Sequence, residues 1–256
     1  MSDATADVSG RLAFAVRVAR EAGVRVLAHY GQTEHETKAG GSPVTAADLS
    51  SNAYIVAAIR SAYPSDAILS EESADDGSRL RARRVWVVDP LDGTREFLSR
   101  NGEFSVMIGL LEGNEPVLGV VHVPVTETTY AAARGLGAWV EVRGGSRRAL
   151  DPGAGSPNAI RMVGSRSHGD PLLDRMAAAL GVEDVQPSGS VGIKCARIAE
   201  GERDLYIHPV PYLKEWDTCA PEMVLREAGG MVTDCRGRPL VYNKARPVQP
   251  DGILAS

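Results

Sequence analysis

The sequence predicts an α+β protein whose second part is α/β, on three observations. Segments 10–30 and 45–62 repeat apolar residues at helical spacing, with charged residues largely on the other side. Within 103–142, apolar residues alternate with a period of two around turns such as Gly113-Asn114, which predicts an antiparallel meander. After residue 158, short apolar runs alternate with helical segments, a pattern typical of strand-helix-strand units.

The pattern changes within residues 143–158, which are rich in Gly, Ser, Arg and Pro. This change predicts an N-terminal α+β domain at 1–150 and a C-terminal α/β domain at 151–256. A chain of 256 residues can form one large domain or two moderate ones, so its length is compatible with the division.

Composition argues against several classes of function. A hydrophobic content of 43% with 24% charged residues is ordinary for a globular protein, and a net charge of −5 gives no reason to expect polymeric nucleic acid as a partner. The three cysteines show no CxxC spacing, which argues against a zinc site and a disulfide framework and predicts reduced thiols in a cytoplasmic protein. Residues 1–9 are polar and acidic, unlike a signal peptide, and no apolar run reaches transmembrane length.

The stretch 85–94, Val-Trp-Val-Val-Asp-Pro-Leu-Asp-Gly-Thr, is the most informative one for function. Its apolar run stops at Asp89, Pro90 interrupts the ladder, and Asp92 follows three residues after the first aspartate. Two carboxylates this close repel each other unless a cation lies between them, and Mg²⁺ is a hard ion that prefers oxygen ligands. The sequence therefore predicts a buried strand that ends in a tight turn with a magnesium site at its mouth.

Three further positions could complete such a site. Glu71 follows a short predicted strand and, with the Leu91 carbonyl, could help to bridge two Mg²⁺ ions, although acidic loops are usually only solvated. The backbone at Gly93 and Thr94 suits a phosphate oxygen if a helical turn begins there, and it is equally compatible with an ordinary helix cap. Asp217 opens a predicted helix and, taken alone, is best interpreted as its N-cap.

Phosphatases with a covalent aspartate nucleophile carry Asp-x-Asp-Gly-Thr, which is a near match to this stretch. Here Asp89 and Asp92 are three residues apart with a proline between them, and no strand-helix repeat precedes them. The spacing therefore argues against a covalent phospho-aspartate, which stays open as an alternative at this point.

Three separated motifs, in this order, resemble the inositol monophosphatase superfamily of Mg²⁺-dependent, lithium-sensitive phosphatases. They are Glu71-Glu72, the stretch from Trp86 to Thr94, and Trp216-Asp217 followed by Ala228-Gly229-Gly230. The similarity extends over nearly the whole chain and implies a layered α-β-α-β-α sandwich with the site between its halves. Relatives usually continue into a last helix, and whether such a helix is missing from this chain is left open.

The resemblance also implies roles for individual residues. The metal ligands would be Glu71, Asp89, Asp92, Asp217 and the carbonyl of Leu91, holding two or three Mg²⁺ ions. Asp48 and Thr94 would prepare the nucleophilic water, with Glu71 as a further catalytic residue.

Within the superfamily, the next residues resemble the 3′(2′),5′-bisphosphate nucleotidases of sulfate assimilation. The similar segments are Arg95-Glu96-Phe97, Asn101 to Val106 and Ser165-Arg166-Ser167-His168. This resemblance implies that His168 stacks on adenine, that Ser190 and Lys194 hold a second phosphate, and that Arg166 adds to a basic rim. On residue type alone, His168 could equally be a solvated loop histidine and Lys194 a surface lysine.

The sequence therefore predicts an enzyme that hydrolyses adenosine 3′,5′-bisphosphate to AMP and phosphate. An inositol monophosphatase or a fructose-1,6-bisphosphatase-like enzyme is the alternative of the same class, and a non-catalytic metal or nucleotide sensor is the alternative of another class. The expected partner is a small phosphorylated nucleotide, and a homodimer is left open.

Overall fold

The structure, a computed structural model, describes residues 3–32, 34–38, 41–153, 159–167 and 171–256. Within these ranges the α-helices are α1 (Asp3–Ala28), α2 (Ala46–Ala62), α3 (Thr94–Leu98), α4 (Pro171–Ala179), α5 (Val191–Ala199) and α6 (Glu215–Ala228). A short 3₁₀-helix covers Ser78–Arg81. None of the described helices is both long enough and apolar enough to cross a membrane.

The first part of the chain forms a small hairpin and the larger sheet. The hairpin consists of β1 (Glu36–Thr37) and β2 (Pro43–Val44). The sheet contains β3 (Ala67–Ser70), β4 (Arg84–Asp92), β5 (Ser105–Glu112), β6 (Glu115–Val123), β7 (Thr128–Ala133), β8 (Gly137–Val142) and β9 (Arg148–Ala149), which are neighbours in that order. Strand β3 runs parallel to β4 and the later pairs are antiparallel, which confirms the predicted meander.

The smaller sheet contains β10 (Arg161–Ser165), β11 (Asp184–Ser188), β12 (Leu205–His208), β13 (Val232–Thr233) and β14 (Ile253–Ala255). Their order is β11-β10-β12-β14-β13, with β10 parallel to both β11 and β12. Helices α4 and α5 connect these parallel strands, as the strand-helix-strand pattern predicts. The sequence pattern does not predict β11, because this edge strand contains Gln186 and Pro187 and has no apolar run.

Helices and sheets stack in five layers. Helices α1 and α2 cover one face of the larger sheet, in an apolar cluster that includes Ala19 and Ile108. Helices α5 and α6 lie between the two sheets, in a second cluster that extends from Met107 of the larger sheet to Tyr206 of the smaller one. Helix α4 packs on the far face of the smaller sheet through Leu173. This order confirms the predicted α-β-α-β-α sandwich.

Helix α6 connects the two predicted domains, because it follows residue 150 in the chain but packs on the sheet formed before it. Two glycines of that sheet make the close approach feasible. A Cβ at Gly109 would lie 2.5 Å from Cys219 Sγ, and one at Gly119 would lie 2.4 Å from the Ala220 carbonyl oxygen. The two halves therefore share a core, and the division at residue 150 stays a prediction.

Replacing a glycine of α1 by alanine is expected to have opposite effects on stability at two positions. A Cβ at Gly23 would lie 2.7 Å from Cδ2 of the buried His122, whereas none of the atoms that the structure describes lies within 4 Å of a Cβ at the exposed Gly10. We expect Gly10→Ala to raise the free energy of unfolding by about 0.5–1 kcal/mol, because alanine is the better helix former. Gly23→Ala should lower it by about 1–3 kcal/mol, because overpacking exceeds that gain. Urea unfolding measures both changes, and shifts of the same sign would contradict the packing of α1 on β6.

Candidate active site

Strand β4 brings the first two carboxylates into the site through a bulge. Its pairing with β5 goes from Asp89 opposite Met107 to Asp92 opposite Ser105, so three steps on β4 face two steps on β5. Pro90, which has no N–H for the ladder, lies within this irregularity. The strand therefore does not end at Asp89, as the sequence pattern predicts, but continues to Asp92 with its register shifted.

The bulge and helix α6 together assemble a cluster of three carboxylates. One oxygen from each of Asp89, Asp92 and Asp217 lies within 4.8 Å of the other two. The two aspartates of β4 are buried and Asp217 is partly buried. Side chains from opposite halves of the chain thus meet at one point between the two sheets.

Burial raises the pKa of all three carboxyl groups, and most strongly those of Asp89 and Asp217. The negative charges of Glu71 and Asp92 raise the pKa of both groups further. The pKa of Asp92 is also raised by burial, but a hydrogen bond from Ser190 opposes that increase. Buried carboxylates that repel one another are groups that a bound divalent cation would stabilise.

Helix α6 presents Asp217 from its first turn. The sequence pattern predicts Asp217 as the N-cap, but the helix begins at Glu215 and its N-cap is Lys214. Asp217 Oδ2 accepts a hydrogen bond from the Lys214 amide (2.5 Å), which fixes the carboxylate at the positive end of the helix. Glu215 is buried and accepts from the amides of Asn243 and Lys244 at 2.8 and 2.9 Å, which anchors the start of the helix.

A hydroxyl and a fourth aspartate form a pair at the same edge of the larger sheet. Thr94 Oγ1 donates to Asp48 Oδ1 at 3.0 Å. Asp48 is buried in the first turn of α2, and its Oδ2 accepts from the amide and the hydroxyl of Thr45 at 2.8 and 2.6 Å. Ser51 of the same helix donates to the Pro90 carbonyl oxygen (2.8 Å), so α2 is attached directly to the bulge of β4.

The turn between β4 and α3 depends on Gly93, whose φ of 95° favours glycine. After this turn Thr94 begins α3, as the sequence predicts, and its Oγ1 lies 3.4 Å from the Leu91 carbonyl oxygen. A Cβ at Gly93 would also lie 3.0 Å from the Glu103 carbonyl oxygen, so the turn packs closely on the chain that enters β5.

Glu71 follows β3, and its amide donates to the Val88 carbonyl oxygen of β4 (3.2 Å). Its Oε1 accepts from Lys38 Nζ at 2.7 Å, and Lys38 also donates to Glu72. Burial by itself would lower the pKa of Lys38, but the charges of the two glutamates raise it. Glu71 is therefore near the cluster and paired with a lysine of the hairpin region, a contact that no local sequence signal indicates.

The second half of the chain contributes the turn before α5. Ser190, the N-cap of α5, donates to Asp92 Oδ2 at 2.5 Å, and the Gly192 amide donates to the same oxygen at 3.1 Å. Lys194 is buried and is not a surface residue. Its Nζ donates to the Ser190 carbonyl oxygen (3.1 Å) and lies 5.2 Å from the centroid of the Tyr206 ring. Burial lowers the pKa of Lys194, and the charge of Asp92 opposes this effect.

Arg166 is held by other protein groups. Its Nε and Nη2 donate to the two carboxylate oxygens of Glu103 at 2.7 and 3.0 Å, and Nη2 also donates to the Pro187 carbonyl oxygen (2.9 Å). Glu103 accepts in addition from the Gly189 amide (2.8 Å), so it connects the segments that follow β10 and β11. The predicted adenine contact, His168, lies outside the described residues.

A cavity of about 630 Å³ is lined by several of these groups, and its size is within the range of small-molecule sites. Seven predicted site residues line it: Glu71, Asp92, Gly93, Thr94, Ser190, Lys194 and Asp217. Tyr206, Tyr212 and Trp216 line it as well. Sequence reasoning did not assign these three aromatic residues to the site. Their one sequence signal is that they lie close to the Trp-Asp motif.

The chemistry of the carboxylate cluster fits Mg²⁺. All of its donors are carboxylate oxygens, which hard divalent cations prefer. The hydrogen bonds that orient the three groups use one oxygen of each: Oδ2 of Asp92 and of Asp217, and Oδ1 of Asp89, which accepts from the Leu91 amide at 3.0 Å. The carboxylates are thus oriented by one oxygen while a second remains for a cation.

Comparisons with known proteins agree with this architecture. A model of the inositol monophosphatase family matches residues 7–254. The 3'(2'),5'-bisphosphate nucleotidase CysQ of Escherichia coli K12 is 39% identical over 94% of this chain and 97% of that protein. The 3'-phosphoadenosine 5'-phosphate phosphatase of Mycobacterium leprae is 35% identical over 82% of this chain and 76% of that protein. The crystal structure of CysQ from Bacteroides thetaiotaomicron superposes with a TM-score of 0.82 at 33% identity, covering 96% of this chain and 97% of that one.

Charge repulsion among the three carboxylates predicts how Asp89→Asn changes thermal stability with and without Mg²⁺. Without divalent ions, Asp89→Asn should raise the melting temperature, because it removes one of the mutually repelling carboxylates. The same variant should lose most of the stabilisation that Mg²⁺ gives the wild type, which is about 2.7 kcal/mol at a hundredfold excess over the dissociation constant. Thermal unfolding in EDTA and in Mg²⁺ measures both effects. Asp174→Asn, on the exposed face of α4, is the control and should change neither. A full Mg²⁺ response in Asp89→Asn would contradict the site.

Proposed function

This chain belongs to the inositol monophosphatase family, and we propose that it hydrolyses adenosine 3′,5′-bisphosphate to AMP and phosphate as a 3′(2′),5′-bisphosphate nucleotidase. The observation that carries this proposal is the three-carboxylate cluster, of which Asp92 and Asp217 line one cavity together with Thr94. The activities in the names of the E. coli and M. leprae relatives support the choice of substrate.

The metal ligands in this proposal are Asp89, Asp92, Asp217, Glu71 and the Leu91 carbonyl, which would hold two or three Mg²⁺ ions. When bound, Mg²⁺ supplies positive charge for the phosphoryl and leaving oxygens and makes water more acidic. Glu71 would exchange its contact with Lys38 for the cation, and the lysine would keep its contact with Glu72.

Thr94 and Asp48 orient the nucleophilic water in the proposed reaction. Because Thr94 Oγ1 donates its hydrogen to Asp48 Oδ1, its lone pairs are available to accept a hydrogen bond from water. The other oxygen of Asp48 is already held by Thr45, so Oδ1 is the atom that receives a proton through the threonine hydroxyl. Water then attacks phosphorus in line with the bond to the 3′-oxygen. That bond breaks, the 3′-oxygen leaves and takes a proton from solvent, and no covalent intermediate with the protein forms.

Substrate recognition is assigned to the second half of the chain. We infer that Lys194 faces the substrate phosphates and that Ser190 shapes the turn beside them, since both line the cavity and the Ser190 hydroxyl donates to Asp92. Arg166 would contribute indirectly, because its contacts with Glu103 stabilise the loop beside the cavity. His168 would stack on adenine, as the resemblance implies. The aromatic lining of the cavity suits a nucleotide base better than it suits inositol.

The remaining expectations for the family belong to the same proposal. They are a cytoplasmic location, a place in sulfate assimilation, inhibition by lithium and a homodimer. The location is supported by the cysteines, because Cys195, Cys219 and Cys235 are all free thiols.

A substrate panel tests the proposed activity. We expect the highest kcat/KM for adenosine 3′,5′-bisphosphate, lower values for inositol 1-phosphate and fructose 1,6-bisphosphate, and loss of activity in EDTA that Mg²⁺ restores. Phosphate release measures all three substrates under one condition. A higher kcat/KM for inositol 1-phosphate would favour the inositol phosphatase, and binding of the bisphosphate without turnover would favour a sensor.

The Thr94 hydroxyl gives a sharper test of the mechanism. Thr94→Val keeps the shape of the side chain but removes the hydroxyl, and we expect kcat to fall by about 100-fold or more, the typical contribution of a positioned proton acceptor. Thr94→Ser keeps the hydroxyl and should stay within about tenfold of the wild type. Steady-state kinetics on the bisphosphate compares the two variants, and similar kcat values for them would mean that the hydroxyl does not participate.

A further inference from the structure

Ser105 begins β5 directly opposite Asp92, and its side chain is fully buried. Residues opposite each other in an antiparallel pair project from the same face of the sheet, so the two side chains are neighbours. The strand continues with Val106 and Met107, which are apolar. A buried hydroxyl in such surroundings requires a hydrogen-bond partner.

Its partner is Ser190, since the two Oγ atoms are 3.0 Å apart. Ser190 Oγ also donates to Asp92 Oδ2 at 2.5 Å and accepts from the Ile193 amide at 3.1 Å. A serine hydroxyl has one hydrogen and two lone pairs. Because the hydrogen of Ser190 is directed to the carboxylate, its second lone pair accepts from Ser105. The direction is therefore fixed: Ser105 donates to Ser190, and Ser190 donates to Asp92.

The backbone supports a specific use for the Ser190 side chain. Its φ of 50° favours glycine, so a serine in this conformation is strained. The turn is packed directly on β5, because a Cβ at Gly192 would lie 2.9 Å from Ser105 Oγ and 2.8 Å from Met107 Sδ. Glycine at position 190 would remove the strain but also the hydroxyl, so the serine provides the contact to Asp92 and the helix cap at the Ile193 amide.

We propose that Ser105 is a positioning residue of the metal site, which acts through Ser190 to orient the Asp92 carboxylate. This inference rests on the proposed function, in which Asp92 is a metal ligand. Ser105 belongs to the larger sheet and Ser190 to the turn before α5, so the two hydroxyls connect both halves of the chain at one ligand. Without the donor at position 105, the Ser190 hydroxyl has an unsatisfied lone pair and loses a contact that fixes its distance from β5.

The test is the affinity for Mg²⁺ in the absence of substrate. Groups that orient metal ligands typically contribute 10- to 100-fold in affinity, and Ser105 acts one step further away, so Ser105→Ala should raise the dissociation constant about three- to tenfold. Calorimetric titration with Mg²⁺ measures this value. Thr129→Val is the matched control, because that hydroxyl is also fully buried in the larger sheet but contacts His122 and Arg20. It should lower the melting temperature and leave the dissociation constant unchanged.

Ser190→Ala removes the hydroxyl that lies between Ser105 and Asp92, and it provides a second, independent test. It should weaken Mg²⁺ binding by itself, and Ser105→Ala should have no further effect in that background, because the two residues act in series. Ser105→Cys has nearly the same shape and only a weak donor, so it should show the same increase even if the alanine variant folds poorly.

An unchanged dissociation constant in the position-105 variants, or additive effects in the double variant, would overturn the proposal. The result also separates the two levels of inference. If the wild type itself bound no Mg²⁺, the proposed function would fail together with the role of Ser105. If the wild type bound Mg²⁺ and hydrolysed the bisphosphate while Ser105→Ala bound Mg²⁺ equally well, only the role of Ser105 would fail.

Discussion

Mutual repulsion among buried carboxylates is the constraint on which the rest of this structure depends. Asp89, Asp92 and Asp217 reach one point from a strand bulge and from the start of a helix, and burial raises the pKa of each group. Asp217 comes from α6 and the other two from β4, and each carboxylate is stabilised by moving away from the others. The two sheets and the helices between them therefore have to supply the geometry.

Backbone amides at the N-termini of helices offset the repulsion between these acidic side chains. Three of the acidic side chains accept hydrogen bonds from backbone amides at the beginning of a helix: Asp217 from Lys214 at α6, Asp92 from Gly192 at α5, and Asp48 from Thr45 at α2. These amides lack partners within their helices, and the partial positive charge there favours an anion. Helix α6 approaches the larger sheet closely at Gly109 and Gly119, and this packing sets the position of the first turn of α6, which carries Asp217. Packing far from the chemistry thus determines the distances within the cluster.

The extent to which the sequence predicts this site depends on how far apart the contributing residues are. Asp89 and Asp92 were predicted because the apolar run, the proline and both carboxylates fall within ten residues. Asp217 alone indicates only a helix cap, and only the three motifs taken together assign it to the same site. Ser105 lies in a segment that resembles the nucleotidases, but nothing local in the sequence pairs it with Ser190, which is 85 residues away. Contacts of this kind are fixed by tertiary packing, which no local pattern encodes.

Residues 95–104, which follow the first two carboxylates, form hydrogen bonds to the loops that follow β10 and β11. Glu103 accepts twice from Arg166 and once from the Gly189 amide, and Glu96 accepts from Ser167. These bonds fix the ends of β10 and β11, and the cavity lining includes Ser165 and Gly189 at those ends. In the proposed function, residues 89–94 contribute to the chemistry together with Asp48, Glu71 and Asp217, whereas the shape of the substrate pocket depends on supporting residues in 95–104. Because the two segments are adjacent but separate, supporting side chains can change the preferred phosphate ester while the carboxylates and Thr94 keep the same geometry.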